Sequence, residues 1–123
     1  MTSQEFENIV QVAFDNLPNY FQDKVDNVCI VIEDYPNEED VKKMKCNSKH
    51  NLLGLYKGIP KPLRRISYGM FPTIPDTIFI FQKNIEAICK TNFEIENKIR
   101  EVLIHELAHY FGMNEEEVRN AGY

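Results

Sequence analysis

Three residues in the last quarter of the chain have the side chains and spacing for metal chemistry: His105, Glu106 and His109, in the order H-E-x-x-H. The spacing acquires meaning on a helix, where residues four apart differ by about 40° in direction and ~6 Å in height. His105 and His109 then project side by side and can approach one ion at Zn–N distances of ~2.0–2.1 Å. Glu106 lies roughly 100° around the axis from His105 and about 60° from His109, within reach of a water on the ion without filling a ligand position. An ion held in this way lowers the pKa of its water toward ~7 and polarises a carbonyl oxygen. Glu106 is then placed to take the water's proton as it attacks a peptide carbonyl, and to hand it to the departing amine. Both imidazoles must be neutral to bind, so the site is expected to empty in mild acid.

A catalytic zinc takes a third protein ligand and keeps one position open. Gly112 permits a sharp turn just after His109, and Glu115 follows three residues later, where the extended pattern places its third ligand. Glu116 is the nearest rival, and an acidic first turn answering a helix dipole is the plain alternative for both. For the histidines the plain alternative is a solvated surface helix or a core helix that satisfies them. Against it stand Val102, Leu103, Ile104, Leu107, Ala108 and Phe111, apolar neighbours on most sides, among which buried polar groups are costly without a partner such as a metal. Other candidates carry less. His50 reads as an exposed loop histidine, Arg64 and Arg65 with Tyr68 as a solvated basic turn, and Glu38-Glu39-Asp40 as a solvated acidic loop. Tyr56 fits either a cleft or the core.

Several elements must position these residues. Ser3 to Leu17 reads as a helix capped by Ser3, with Phe6, Ile9, Val10, Ala13, Phe14 and Leu17 on one face, ended by Pro18. A short helical turn around Tyr20 to Val25 follows. Val28 to Ile32 reads as a buried strand, Leu52 to Gly58 as a second and Thr77 to Phe81 as a third. Residues 37–51 lack either period and read as a surface loop, and 61–76, with its prolines, as a pinned loop. Lys83 to Cys89 suits a short helix. Thr91 or Asn92 caps a long helix that carries the H-E-x-x-H and runs to Phe111, and Asn114 caps a last short one. This order predicts an α+β fold with a small, mixed or mostly antiparallel sheet.

Length and composition bound the rest. The 123 residues suit one domain spanning 1–123, and 43% apolar content can fill its core. A net charge of −5 argues against nucleic acid and against anionic membrane surfaces as partners. The longest apolar run, Val28 to Ile32, is far short of the ~20 residues of a membrane span. With no apolar leader at the start, a cytoplasmic location is expected. Cys29, Cys46 and Cys89 are too few and too widely spaced for a disulfide framework, and Cys29 and Cys89 read as small core residues.

The chain resembles the minimal zincin family of zincin-like metallopeptidases. The resemblance rests on Phe14-Asp-Asn-Leu-Pro18, Asn27 to Pro36, Leu53-Gly-Leu-Tyr-Lys-Gly-Ile-Pro60 and Ile104 to Gly112, in the family's order and over most of the chain. It implies a compact α+β zincin fold with the metal on the C-terminal helix pair. The family's pattern usually has an aspartate at the third-ligand position, where this chain has Glu115, one methylene longer. The expectation is a zinc-dependent metallopeptidase acting on a peptide or protein, with one zinc ion held by His105, His109 and Glu115 and with Glu106 as general base. The alternative is a non-catalytic or regulatory metal-binding domain in which the ion is structural.

Overall fold

The computed structural model describes residues 1–25, 28–58 and 76–122. Its elements run α1 (Ser3–Asp15), α2 (Asn19–Lys24), β1 (Val28–Glu33), α3 (Glu38–Lys43), a 3-10 turn (Lys49–Asn51), β2 (Gly54–Lys57), β3 (Asp76–Phe81), α4 (Gln82–Ile88), α5 (Asn92–Tyr110) and α6 (Glu115–Asn120). Among the described residues this makes an α+β fold of six α-helices and a three-stranded sheet.

The sheet is mixed, in the order β1-β3-β2. Central β3 runs parallel to β1, from Val28↔Asp76 to Glu33↔Phe81, and antiparallel to β2, from Gly54↔Ile80 to Lys57↔Thr77. Its Ile78 and Ile80 are fully buried, on the face of the sheet that packs into the helical core. The Phe81 N–H donates to the Leu53 carbonyl at 3.0 Å. Backbone groups alternate sides along a strand, so Leu55 and Lys57 also face β3 while those of Gly54 and Tyr56 face away from it. That outer edge of β2 borders α5.

Helix α5 supplies one wall of the core and one wall of the cleft. Thr91 caps it, its hydroxyl accepting from the Glu94 N–H at 3.1 Å. Ile95, Ile99, Leu103, Leu107 and Tyr110 recur at helical spacing and are buried, closing over Phe6, Val10 and Ala13 of α1 and over Ile78 and Ile80. Lys98, Glu101, His105 and His109 lie on the opposite side. The segment leading into β2 is fixed from α4. The buried amide of Asn84 donates to the carbonyls of Lys49 and Leu52, both at 2.7 Å.

Several expectations are corrected. Thr2, not Ser3, caps α1, in a reciprocal box with Glu5, and the helix stops at Asp15. Residues 37–51 hold α3 and the 3-10 turn, not only loop. Asp40 is 6% exposed, because Lys57 of β2 reaches its Oδ2 at 2.7 Å and supplies the partner a buried carboxylate needs. Cys29 is exposed, since it pairs with Thr77 on the face of the sheet opposite Ile78 and Ile80, and Cys89 is half-buried. The proline-bearing stretch with Arg64, Arg65 and Tyr68 lies outside the described residues. None of the described helices is long and apolar enough to cross a membrane.

Replacing Asn84 by Ala strands two carbonyls and frees the approach to β2. The variant is expected to lose ~1–3 kcal/mol of stability, read as a lower urea midpoint with an unchanged slope. An unchanged midpoint would show that Asn84 does not fix this segment.

Candidate metal centre

Two local features fold Glu115 back over the histidines. At the end of α5, Gly112 takes φ +93°, a conformation that favours glycine. The Gly112 N–H donates to the His109 carbonyl at 2.9 Å and the Met113 N–H to that of Ala108 at 3.1 Å, the paired bonds of a Schellman turn. Asn114 then starts α6: its side chain accepts from the Glu117 N–H at 2.8 Å, and Glu117 accepts from the Asn114 N–H at 3.2 Å. Buried Val118 anchors the short helix.

The result is a convergence. His105 Nε2 and His109 Nε2 lie 3.1 and 2.8 Å from one atom, Glu115 Oε1, and the two rings meet edge to face with centroids 5.0 Å apart. One ligand atom from each residue lies within 4.8 Å of the others, the one such group of three among the described residues. Glu116 is not in it. His109 Nδ1 is 2.8 Å from the Met113 carbonyl, which can only accept, so Nδ1 carries the hydrogen and Nε2 is the nitrogen left for a metal. The sequence gives no hint of this contact, because the partner is a main-chain oxygen placed by the turn.

The donor set fits a divalent ion. Around tetrahedral zinc, ligand atoms at ~2.0–2.2 Å from the metal stand roughly 3.3–3.5 Å from one another. The contacts to Glu115 are a few tenths shorter, so a small outward movement of a half-exposed carboxylate makes room. Two imidazoles and one carboxylate also match the ligand chemistry of catalytic zinc.

Glu106 stands apart from this group, in the wall between α5 and β2. It is 7% exposed, and its Oε1 accepts from the Tyr56 N–H at 2.9 Å. Burial raises its pKa; His105 and His109, the Tyr56 N–H and Glu115 act on it as well, the first three in the opposite sense. A raised carboxyl next to a cleft suits a group that must both accept and release a proton. The Tyr56 amide and the neighbouring Gly54 are contributors that sequence reading missed, since one acts through backbone and the other through lack of a side chain.

The cleft they share measures about 680 Å³ and runs between the α5 face from Lys98 to His109 and the segment Leu52–Tyr56. Leu52, Leu53, Met44 and Val102 make much of it apolar, with the Lys98–Glu101 ion pair at the rim. The weaker candidates fall elsewhere: His50 is exposed and sits edge-on to Tyr35 with ring centroids 5.2 Å apart. Burial, aided by the Glu94 charge, pushes the Cys89 thiol up and away from thiolate chemistry.

Comparison with known proteins agrees with this arrangement of elements. The profile of the zincin-like metallopeptidase family matches residues 25–123. A solved structure, a conserved hypothetical protein from Thermo thermophilus, superposes with a TM-score of 0.54 at 21% identity, covering 89% of this chain and 92% of its own. At that identity the likeness concerns the fold. No curated protein matches the chain.

The Glu115 carboxyl has a pH signature in the metal-free protein. Burial opposes its ionisation, but hydrogen bonds and charge from His105 and His109 outweigh burial and bring it below the ordinary 4.5. A depressed carboxyl contributes stability above its unfolded value and loses it as pH falls through the folded one. Acid titration of the chelated protein is therefore expected to lower its thermal midpoint below pH ~4.5, and less steeply in Glu115→Gln. Identical curves for the two proteins would contradict the contact.

Proposed function

As the chain belongs to the zincin-like metallopeptidase family, we propose that it is a zinc-dependent peptidase whose ion is held by His105, His109 and Glu115. The observation that supports this reading is the convergence of three ligand atoms beside a buried carboxylate in an open cleft. A divalent ion in this position supplies Lewis-acid polarisation of the substrate carbonyl and acidifies a water.

The chain's own residues do the rest. His109 is held in one tautomer by the Met113 carbonyl, so its ligand nitrogen is set before substrate arrives. Glu106 accepts a proton from the attacking water as the new C–O bond forms at the scissile carbonyl. It then delivers that proton to the amide nitrogen as the C–N bond breaks, and returns to its starting state. Its buried position keeps bulk water from competing for the proton, and the Tyr56 N–H keeps one oxygen anchored through both transfers.

The substrate is a peptide or protein segment in extended form. The segment Leu52–Tyr56 lines the cleft opposite α5, so an extended segment can lie between the two, with the Tyr56 N–H already committed to Glu106 Oε1. Along α5 the cleft extends ~16 Å from Lys98 to His109, the length of about five extended residues. A cytoplasmic setting, with neither nucleic acid nor membrane as partner, completes the proposal and is supported by the acidic charge and three free cysteines.

Glu106→Gln keeps the shape and removes the base. It is expected to lower peptide turnover by ~10²–10⁴-fold while leaving zinc content unchanged, read by mass spectrometry of a peptide library beside metal analysis. A wild-type protein that binds zinc but cuts no peptide, in the library or in a host lysate searched for new N-termini, would favour the structural-ion alternative.

A further inference from the structure

Gly54 opens β2 directly opposite α5, and its conformation does not explain its presence. Its φ lies outside the left-handed region, unlike that of Gly112, so any residue could adopt this backbone. Space explains it. A Cβ at position 54 would stand 2.5 Å from Val102 Cγ1, 3.1 Å from the Phe79 carbonyl oxygen and 3.4 Å from Glu106 Cγ. Carbon atoms in good contact are ~3.5–4.0 Å apart, so the first distance is a collision. Neither neighbour yields easily. The Phe79 oxygen belongs to the backbone of the central strand, and Val102 is 7% exposed and β-branched on a helix, where one rotamer is strongly preferred.

Two residues along the same edge, the Tyr56 N–H reaches Glu106 Oε1 at 2.9 Å. A side chain at 54 would drive β2 and α5 apart by about 1 Å, which is enough to carry a bond of that length out of hydrogen-bonding range. The approach of strand to helix and the anchoring of the carboxylate are therefore one geometric fact.

We propose that Gly54 is a positioning residue for Glu106: by carrying no side chain it lets β2 close on α5 until the Tyr56 amide grips the carboxylate. The proposal's functional meaning rests on reading Glu106 as the general base, but the geometry can be tested without any turnover. Gly54 acts through Tyr56 and Val102 and touches no reacting atom.

The test is amide hydrogen exchange of the zinc-loaded protein, followed by nuclear magnetic resonance, with zinc content and peptide turnover measured on the same samples. In Gly54→Ala the Tyr56 amide should exchange at least tenfold faster than in wild type, while Leu55 and Lys57, which face β3, change less than threefold. Zinc content should stay the same and turnover fall at least tenfold. Val102→Ala removes the atom that collides, so the double variant Gly54→Ala with Val102→Ala should recover Tyr56 protection and turnover to within about threefold of Val102→Ala alone. General loosening would not be repaired by cutting away a further buried side chain. Tyr56 protection that survives Gly54→Ala, or that the second substitution fails to restore, overturns the proposal. If Gly54→Ala does not fold, the double variant decides: wild-type-like protection supports the proposal, and a lost signal or a failure to fold overturns it. If exchange behaves as expected while wild type cuts no peptide, the positioning stands and the peptidase reading fails.

Discussion

The site depends on a reversal of the chain within three residues. Helix α5 sets two imidazoles one turn apart, but a third ligand must return over them from the next helix. The left-handed Gly112 and the two carbonyl bonds that close the turn bring Glu115 Oε1 to 3.1 and 2.8 Å from the paired ring nitrogens. The same turn aims the Met113 carbonyl at His109 Nδ1. Ligand position and ligand tautomer thus share one cause, the turn itself.

Opposite the turn, the cleft is shaped by a close contact between a helix and a sheet edge. Val102 and Glu106 lie where the core face of α5 meets its cleft face, each 7% exposed. That border explains why a carboxylate can be almost dry and still adjoin an open cavity. The carboxylate is tolerable there because the strand offers it an amide and the helix offers it two imidazoles. The chain belongs to the zincin-like metallopeptidase family, and the division of labour proposed above for the two histidines, Glu115 and Glu106 is built on this border.

The sequence discloses the site far better than its surroundings. The helix bearing His105 and His109 is legible because its apolar period, Thr91 cap and terminal Gly112 agree, and the family profile covers the same stretch. Glu115 is legible from its offset beyond Gly112, and the structure turns it, not Glu116, toward the imidazoles. What escapes depends on distant partners. Asp40 looks like one of three solvated acids until Lys57 comes from β2 to bury it. Cys29 looks like core until its pairing with Thr77 puts it on the outer face of the sheet. The roles of Gly54 and Tyr56 join residues about fifty positions from Glu106 through backbone and empty space, for which a side-chain pattern has no symbol.

Joint binding of a divalent cation by His105, His109 and Glu115 underlies every functional step above, and metal analysis of the untagged protein tests it most directly. The expected result is close to one zinc per chain in the wild type, a content that falls by at least tenfold on replacing His109 with Ala and vanishes reversibly with chelator. A protein that never binds a stoichiometric divalent ion, or one whose content survives the loss of His109, would contradict it.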